Sequence, residues 1–173
     1  MNNDNVNHPS HYTSGPFECI ELTSRYPFLG GNAIKYVYRW QDKNGLEDLR
    51  KALWYLNRAK AESPYEPIGL YPLDSLVPPY GHFQIDDESV HMLRKLARLN
   101  WQNMRGFWKG MAELACNHQS GYTRAKKTLE RRIRLLESMP TDEEQTILSA
   151  VWQDKELTES QNQIAYRLQA RDL

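Results

Sequence analysis

Apolar residues along this chain recur at three- and four-residue intervals, the period of helices buried on one face. Pro16 predicts the first residue of a short helix carrying Phe17, Glu18, Ile20, Glu21 and Leu22, because proline is tolerated where an amide has no intrahelical partner. Tyr26-Pro27 ends it. Gly30-Gly31-Asn32 then opens a second helix, with Ile34, Val37 and Tyr38 on one side and Asn32, Lys35 and Arg39 on another. Lys43-Asn44-Gly45 makes the turn into a third helix, from about Leu46 to Glu62, whose Leu46, Leu49, Leu53 and Leu56 mark one buried face. Asp48, Lys51 and Tyr55 fall roughly opposite that stripe, on the surface or, with Trp54, in a subunit contact or nucleotide pocket.

The pattern breaks between Ser63 and Gly81, where Pro64, Pro67, Pro72, Pro78 and Pro79 exclude a continuous helix. The tyrosines there, together with Ile68-Gly69-Leu70, predict an extended connector that packs on something. Asp86-Asp87 caps a helix to about Asn100, and Trp101–Cys116 continues with Trp101, Met104, Phe107, Trp108 and Met111 as anchors. Gly106 and Gly110 within it predict close helix packing or a kink. Tyr122–Met139 reads as a basic amphipathic helix. Thr141-Asp142-Glu143-Glu144 and Thr158-Glu159-Ser160-Gln161 have the capping-box form that opens two more. The chain is therefore expected to be all-α, with seven or eight helices: a three-helix unit at 1–62, a Pro/Tyr-rich connector at 63–85 and a helical bundle at 86–173.

Composition changes this picture little, but charge distribution does. The 22 basic and 22 acidic residues balance, so no generic attraction to nucleic acid or membrane follows from the total. Residues 94–137, however, carry eleven basic and three acidic side chains, including Arg124, Lys126, Lys127, Arg131, Arg132 and Arg134, which could follow a phosphate backbone or simply form a solvated face. The last two helices suggest the opening half of a helix-turn-helix, but no recognition helix follows, which disfavours sequence-specific DNA reading. Cys19 and Cys116 lack CxxC spacing and fit reduced thiols. With no signal-peptide pattern and no long apolar run, a soluble, cytoplasmic protein without a membrane partner is expected.

The chemistry-bearing residues concentrate in the first third. His8-Pro9-Ser10-His11-Tyr12 precedes any predicted helix, and its imidazoles could ligate metal, hold phosphate, or merely hydrogen-bond a packed arm. Glu18 and Glu21 are helical neighbours able to hold a divalent ion, with Asp48 as a further carboxylate, or to sit on a solvated face. The set approaches the ExxE…ExxD sites of all-α nucleotide pyrophosphatases, except that Lys51 stands where the second motif needs an acid. Gly30-Gly31-Asn32 at a helix start, with Lys35 and Arg39 on the following turns, suits an anion: free amides and two cations would meet a phosphate. GxxxxGK[ST] occurs nowhere, so a Walker-type mechanism is excluded at the level of motif.

HPSHY, ECIE and GNAIKYVYRWQDKNGLEDLRKALWYL, in that order over residues 6–60, resemble a phage and prophage family of small proteins that includes a nucleotide kinase of a short-tailed coliphage. The resemblance implies a homo-oligomeric deoxynucleoside monophosphate kinase acting in the bacterial cytoplasm, with a nucleoside triphosphate donor. It makes His8, His11, Glu18, Glu21, Asn32, Lys35, Tyr36, Arg39 and Lys43 site candidates. In that reading Lys35, Arg39 and the Gly31-Asn32 helix start cradle the transferred group, His11 orients the acceptor, and Glu18 and Glu21 bind Mg2+ or the acceptor sugar. Ser10 lies in the same loop, and Tyr12 or Tyr36 stacks on the base. Two alternatives use the same residues differently or not at all. One is a non-catalytic nucleotide-sequestering protein; the other is a host-takeover adaptor whose C-terminal helices bind a host protein or nucleic acid.

Overall fold

The computed structural model describes residues 10–65, 67–77, 82–152 and 156–169. Among them the chain is all-α, with nine helices and one two-residue antiparallel pairing, Leu76–Val77 against His82–Phe83. The helices are α1 (Ser10–Thr13), α2 (Cys19–Thr23), α3 (Phe28–Arg39), α4 (Leu46–Glu62), α5 (Asp87–Arg98), α6 (Arg105–Ala115), α7 (Ser120–Ser138), α8 (Asp142–Trp152) and α9 (Glu159–Gln169). Two compact units result, Met1–Ile133 and Arg134–Leu173, a division that differs from the expected segments at 1–62, 63–85 and 86–173.

The reason for the larger first unit is a hydrogen-bonded link between α3 and the turn before α6. The Trp101 indole N–H donates to the Tyr38 carbonyl at 2.9 Å, and the Trp40 indole donates to the Gln102 carbonyl at 2.9 Å. The Gln102 side chain accepts from the Gln41 amide at 3.0 Å and donates to Asp42 Oδ2 at 2.7 Å. Asn100, Gln102 and Asn103 all take positive φ, a conformation L-residues rarely adopt, and these bonds hold the turn there. Trp108, Phe107, Tyr38, Leu93 and Leu96 fill the core beneath it.

Several sequence expectations shift by a turn. Helix α2 begins at Cys19, with Glu18 as its N-cap, rather than at Pro16. Helix α1, a single turn, replaces the loop expected at Ser10–Tyr12. On α4 the buried positions are Asp48, Leu49, Ala52, Leu56 and Ala59, so Asp48 faces inward and the leucine stripe is rotated. That helix is covered on two sides, by α3 and by the Ile68–Leu70 turn of the connector. The connector thus packs as expected, with Leu70 and Tyr71 buried and the Leu73 amide bonded to the Arg25 carbonyl at 2.7 Å.

Helix α5 is capped by Asp86, whose carboxylate accepts from the Ser89 amide at 3.3 Å. Helices α6 and α7 cross closely through Gly110 and Gly121. A Cβ on Gly110 would stand 2.5 Å from the Gly121 carbonyl oxygen, and one on Gly121 would collide with that of Gly110. The second unit pairs α8 with α9. Both expected capping boxes form there, with Thr141 N–H donating to Glu144 at 2.7 Å and Thr158 N–H to Gln161 at 3.0 Å.

Candidate functional site

Helices α3 and α4 run back through the short Trp40–Asn44 connection, so residues one or two turns from that bend face each other. Arg39, at the end of α3, meets Asp48, in the first turn of α4: Nε to Oδ2 is 3.0 Å and Nη2 to Oδ1 is 3.4 Å. Both side chains are buried, Asp48 completely. Asn44 Nδ2 completes the carboxylate's shell at 3.4 Å, and Arg39 Nη1 donates to the Tyr12 hydroxyl. A bidentate arginine pair of this kind fixes both partners, because either charge left alone in the interior would be strongly unfavourable.

Around this pair lie the Tyr12 and Tyr36 rings and three lysines. The Tyr36 ring has Lys35 Nζ at 4.7 Å, Arg39 Cζ at 5.1 Å and Lys51 Nζ at 5.8 Å from its centroid, and stacks on Tyr55 at 5.7 Å and 22°. The Tyr12 ring has Arg39 at 5.3 Å and Lys43 Nζ at 6.0 Å. Each such contact is worth about 0.5–1 kcal/mol where exposed. Lys35 also donates to Asn32 Oδ1 at 2.7 Å, and Asn32 in turn donates to the Phe28 carbonyl at 2.8 Å. Glu47 takes Lys51 at 2.5 Å, an exposed pair one helical turn apart.

The nearby carboxylates are already answered. Asp48 is bound to Arg39 and Glu47 to Lys51, whereas Lys35 hydrogen-bonds a neutral amide. Partial burial, and then the neighbouring Arg39 guanidinium with a smaller push from Lys43, hold the Lys35 ammonium below its ordinary range. Burial disfavours the charged ammonium, and an anion placed beside it would favour that charged form. Beneath it the Cys19 thiol is pushed up to about 12 by burial, which outweighs the pull of Arg39 and Lys35, so this cysteine is a neutral filler.

Tyr12, Asn32, Lys35, Tyr36, Arg39 and Lys43 are thus brought together. Other expectations are corrected. Helix α3 starts at Phe28, ahead of Gly30-Gly31-Asn32, and the Gly31 N–H already donates to the Pro27 carbonyl at 2.8 Å. Both glycines are buried because backbone passes over them. A Cβ would stand 2.6 Å from the Gly69 carbonyl oxygen at Gly30 and 2.9 Å from that of Thr23 at Gly31. Glu18 and Glu21 form a capping box, with Glu18 N–H donating to Glu21 Oε1 at 2.6 Å, which accounts for their spacing without a ligand. Asp48, the third metal candidate, is the partner of Arg39. Among the described residues no group of three His, Cys, Asp or Glu side chains could hold a metal ion. Ser10 is exposed at the start of α1, the His11 side chain lies outside the described part, and His8 lies outside the described residues altogether.

The buried salt link itself is not among the sequence expectations, which place Asp48 opposite the leucine stripe, on the surface or in a subunit contact or nucleotide pocket. A signal existed: an acid in the first turn after a tight bend and a basic residue in the last turn before it are natural partners across an α-hairpin. Also unforeseen was Asp42, which accepts from Ser14 Oγ at 3.2 Å as well as from Gln102, tying α1 to the turn before α6.

A sequence profile of the family described as a protein of unknown function (DUF3310) matches residues 6–57, less than a third of the chain. The match begins ahead of α1 and ends within α4, so it contains every member of the tyrosine–cation cluster. No curated protein and no solved structure matches the chain. Among the described residues no helix is long and apolar enough to cross a membrane.

Proposed function

We propose that the cluster of Tyr12, Lys35, Tyr36, Arg39 and Lys43 binds a nucleoside phosphate. The observation that carries the reading is the gathering of Lys35, Arg39 and Lys43 against the Tyr12 and Tyr36 rings, on a buried Arg39–Asp48 foundation. Lys35 and Lys43 would neutralise phosphate, Arg39 would hold the ring of Tyr12, and Tyr12 would offer its ring to a base. Tyr36 is less suited to stacking, because Tyr55 already occupies a face of its ring.

The resemblance to the phage and prophage family extends this reading to phosphoryl transfer between a nucleoside triphosphate and a deoxynucleoside monophosphate in a homo-oligomer. Such chemistry asks mainly for positioning and charge neutralisation, which lysine and arginine supply, while Mg2+ would arrive with the triphosphate. The exposed Phe28 and Trp54, whose rings lie beside Tyr55, favour self-association on this side of the first unit.

Calorimetric titration with thymidine and deoxyguanosine mono- and triphosphates, run beside an assay for diphosphate product, tests both levels. Binding that Lys35→Ala weakens at least tenfold supports the site; diphosphate formation supports transfer. Binding without turnover leaves a sequestering protein, and no binding at millimolar nucleotide sinks the proposal.

A further inference from the structure

A second concentration of charge lies within the same unit but on different helices. Arg94 and Arg98 on α5 face Arg105 and Lys109 on α6 across an open groove of about 590 Å³, floored by Ala97 and Ala112. On the other flank of α6, Arg124, Lys127 and Arg131 of α7 line a second groove of about 690 Å³ with Gly106, Ser120, Thr123 and Thr128. Glu113, which lines the first groove, accepts from Arg124 of the second at 2.8 Å. Among the described residues Glu113 is the single carboxylate lining either groove.

These cations differ in kind from others nearby. Arg132 donates to the Asn103 carbonyl at 2.9 Å and lies over the Trp40 ring, and Lys126 pairs with Glu130, so both have structural work. Among the described residues, Arg98, Arg105, Lys109, Lys127 and Arg131 form no ion pair. In a chain of zero net charge, gathering unpaired cations on one side of three packed helices raises self-repulsion, which an anionic partner would relieve.

We propose that this α5–α7 face binds the phosphate backbone of a nucleic-acid duplex. Cations four residues apart on a helix advance by about 6 Å, so each helix offers successive charges rather than one cluster for a compact anion. Ser120 and Thr123 add hydroxyls of the type that bond phosphate oxygens. Among the described residues no aromatic side chain lines either groove, so the stacking that holds single strands is missing and a duplex is the occupant that fits. Recognition is by backbone charge alone and therefore independent of base sequence.

The test measures anisotropy of full-length protein with a labelled duplex of roughly 20 base pairs and mixed sequence, the matching single strand and poly-glutamate, over a series of salt concentrations. The duplex should bind with micromolar affinity at low salt, and log affinity against log salt should have a slope of about −4 or steeper, as expected for about five or six phosphate contacts. Arg98→Glu with Lys109→Glu in one groove, and Lys127→Glu with Arg131→Glu in the other, should each weaken binding at least tenfold. Arg58→Glu, an exposed reversal on α4, should change it less than twofold. Circular dichroism melts confirm that each variant is folded, and Arg98→Lys, which keeps the charge, should retain binding. The proposal is overturned if duplex fails to bind at low salt, if groove reversals act no more than Arg58→Glu, or if single strand or poly-glutamate binds as tightly as duplex.

Discussion

The tyrosine–cation cluster on α1, α3 and α4 and the basic face on α5, α6 and α7 are both rich in positive charge, yet they hold it in opposite ways. In the first, Arg39 is buried, doubly bonded to Asp48 and tied to Tyr12, so a ligand would meet the lysines at the periphery rather than this guanidinium. In the second, the arginines and lysines stand on exposed helix surfaces, and most have no carboxylate partner among the described residues. A buried, paired cation serves as architecture, because its charge is already answered. Exposed, unanswered cations serve recognition at little cost to folding, because water solvates them until a partner arrives.

The largest expected effect breaks this contrast at its rigid end. Asp48→Ala leaves the Arg39 guanidinium buried without its carboxylate and should cost about 3–5 kcal/mol in urea denaturation. The double change Arg39→Met with Asp48→Leu should recover most of that stability, since both buried charges are removed together and the packing is restored. If Asp48→Ala melts like the natural chain, the pair is not the foundation described. Next in size is Gly110→Ala. Its Cβ would meet backbone at the α6–α7 crossing, where no side chain can rotate away, so a loss of about 1–3 kcal/mol is expected from the same denaturation measurement.

Lys35 carries the third effect, on binding rather than folding. Lys35→Gln should weaken nucleotide affinity about tenfold, near 1.4 kcal/mol, and leave the melting temperature nearly unchanged. Its depressed pKa adds a pH signature. The folded chain binds this proton less tightly than the unfolded chain, whose lysine keeps the ordinary 10.5, so the Lys35 contribution to stability rises with pH between the folded value and 10.5. Ligand affinity runs the other way: an anion needs the ammonium, so affinity falls as pH climbs through the folded Lys35 value. Calorimetry from neutral to alkaline pH should show that fall in the natural chain and lose its steepest part in Lys35→Gln.

Local rules written in the sequence were legible, and rules that depend on what lies across the fold were not. Helix periods, the Asp86 cap, both capping boxes and the close packing at Gly110 follow from neighbours within a few residues, and each is present. The helix start expected at Gly30-Gly31-Asn32 is not, since those glycines answer the Gly69 and Thr23 carbonyls, which come from other segments. Asp48 falls opposite the leucine stripe, where a helix has an outer face or a second interface, whereas α4 is covered on two sides and buries it. Asn32, Lys35 and Arg39 stand out in the sequence because one helix face carries them, and Tyr36 by resemblance. The basic block 94–137 is legible in the sequence, but the groove that Arg94, Arg98, Arg105 and Lys109 line is not, because these residues only come together when two helices pack.

The smallest expected effect tests the recognition end of the contrast. Lys127 is exposed in the middle of α7, four residues before Arg131 and without an ion pair among the described residues. Replacing it with alanine removes an unfavourable like-charge pair, worth roughly 0.2–0.5 kcal/mol, and introduces the residue with the best helix propensity. Lys127→Ala should therefore leave stability unchanged or raise it by a few tenths of a kcal/mol. The same repulsion is screened by ions, so the natural chain should gain slightly in stability as salt rises from low to physiological concentration, and the variant should gain less. A loss of about 1 kcal/mol or more in Lys127→Ala, beyond what an exposed surface change costs, would mean that this lysine is held by the fold after all, and the distinction between the two charged regions would fail at that position.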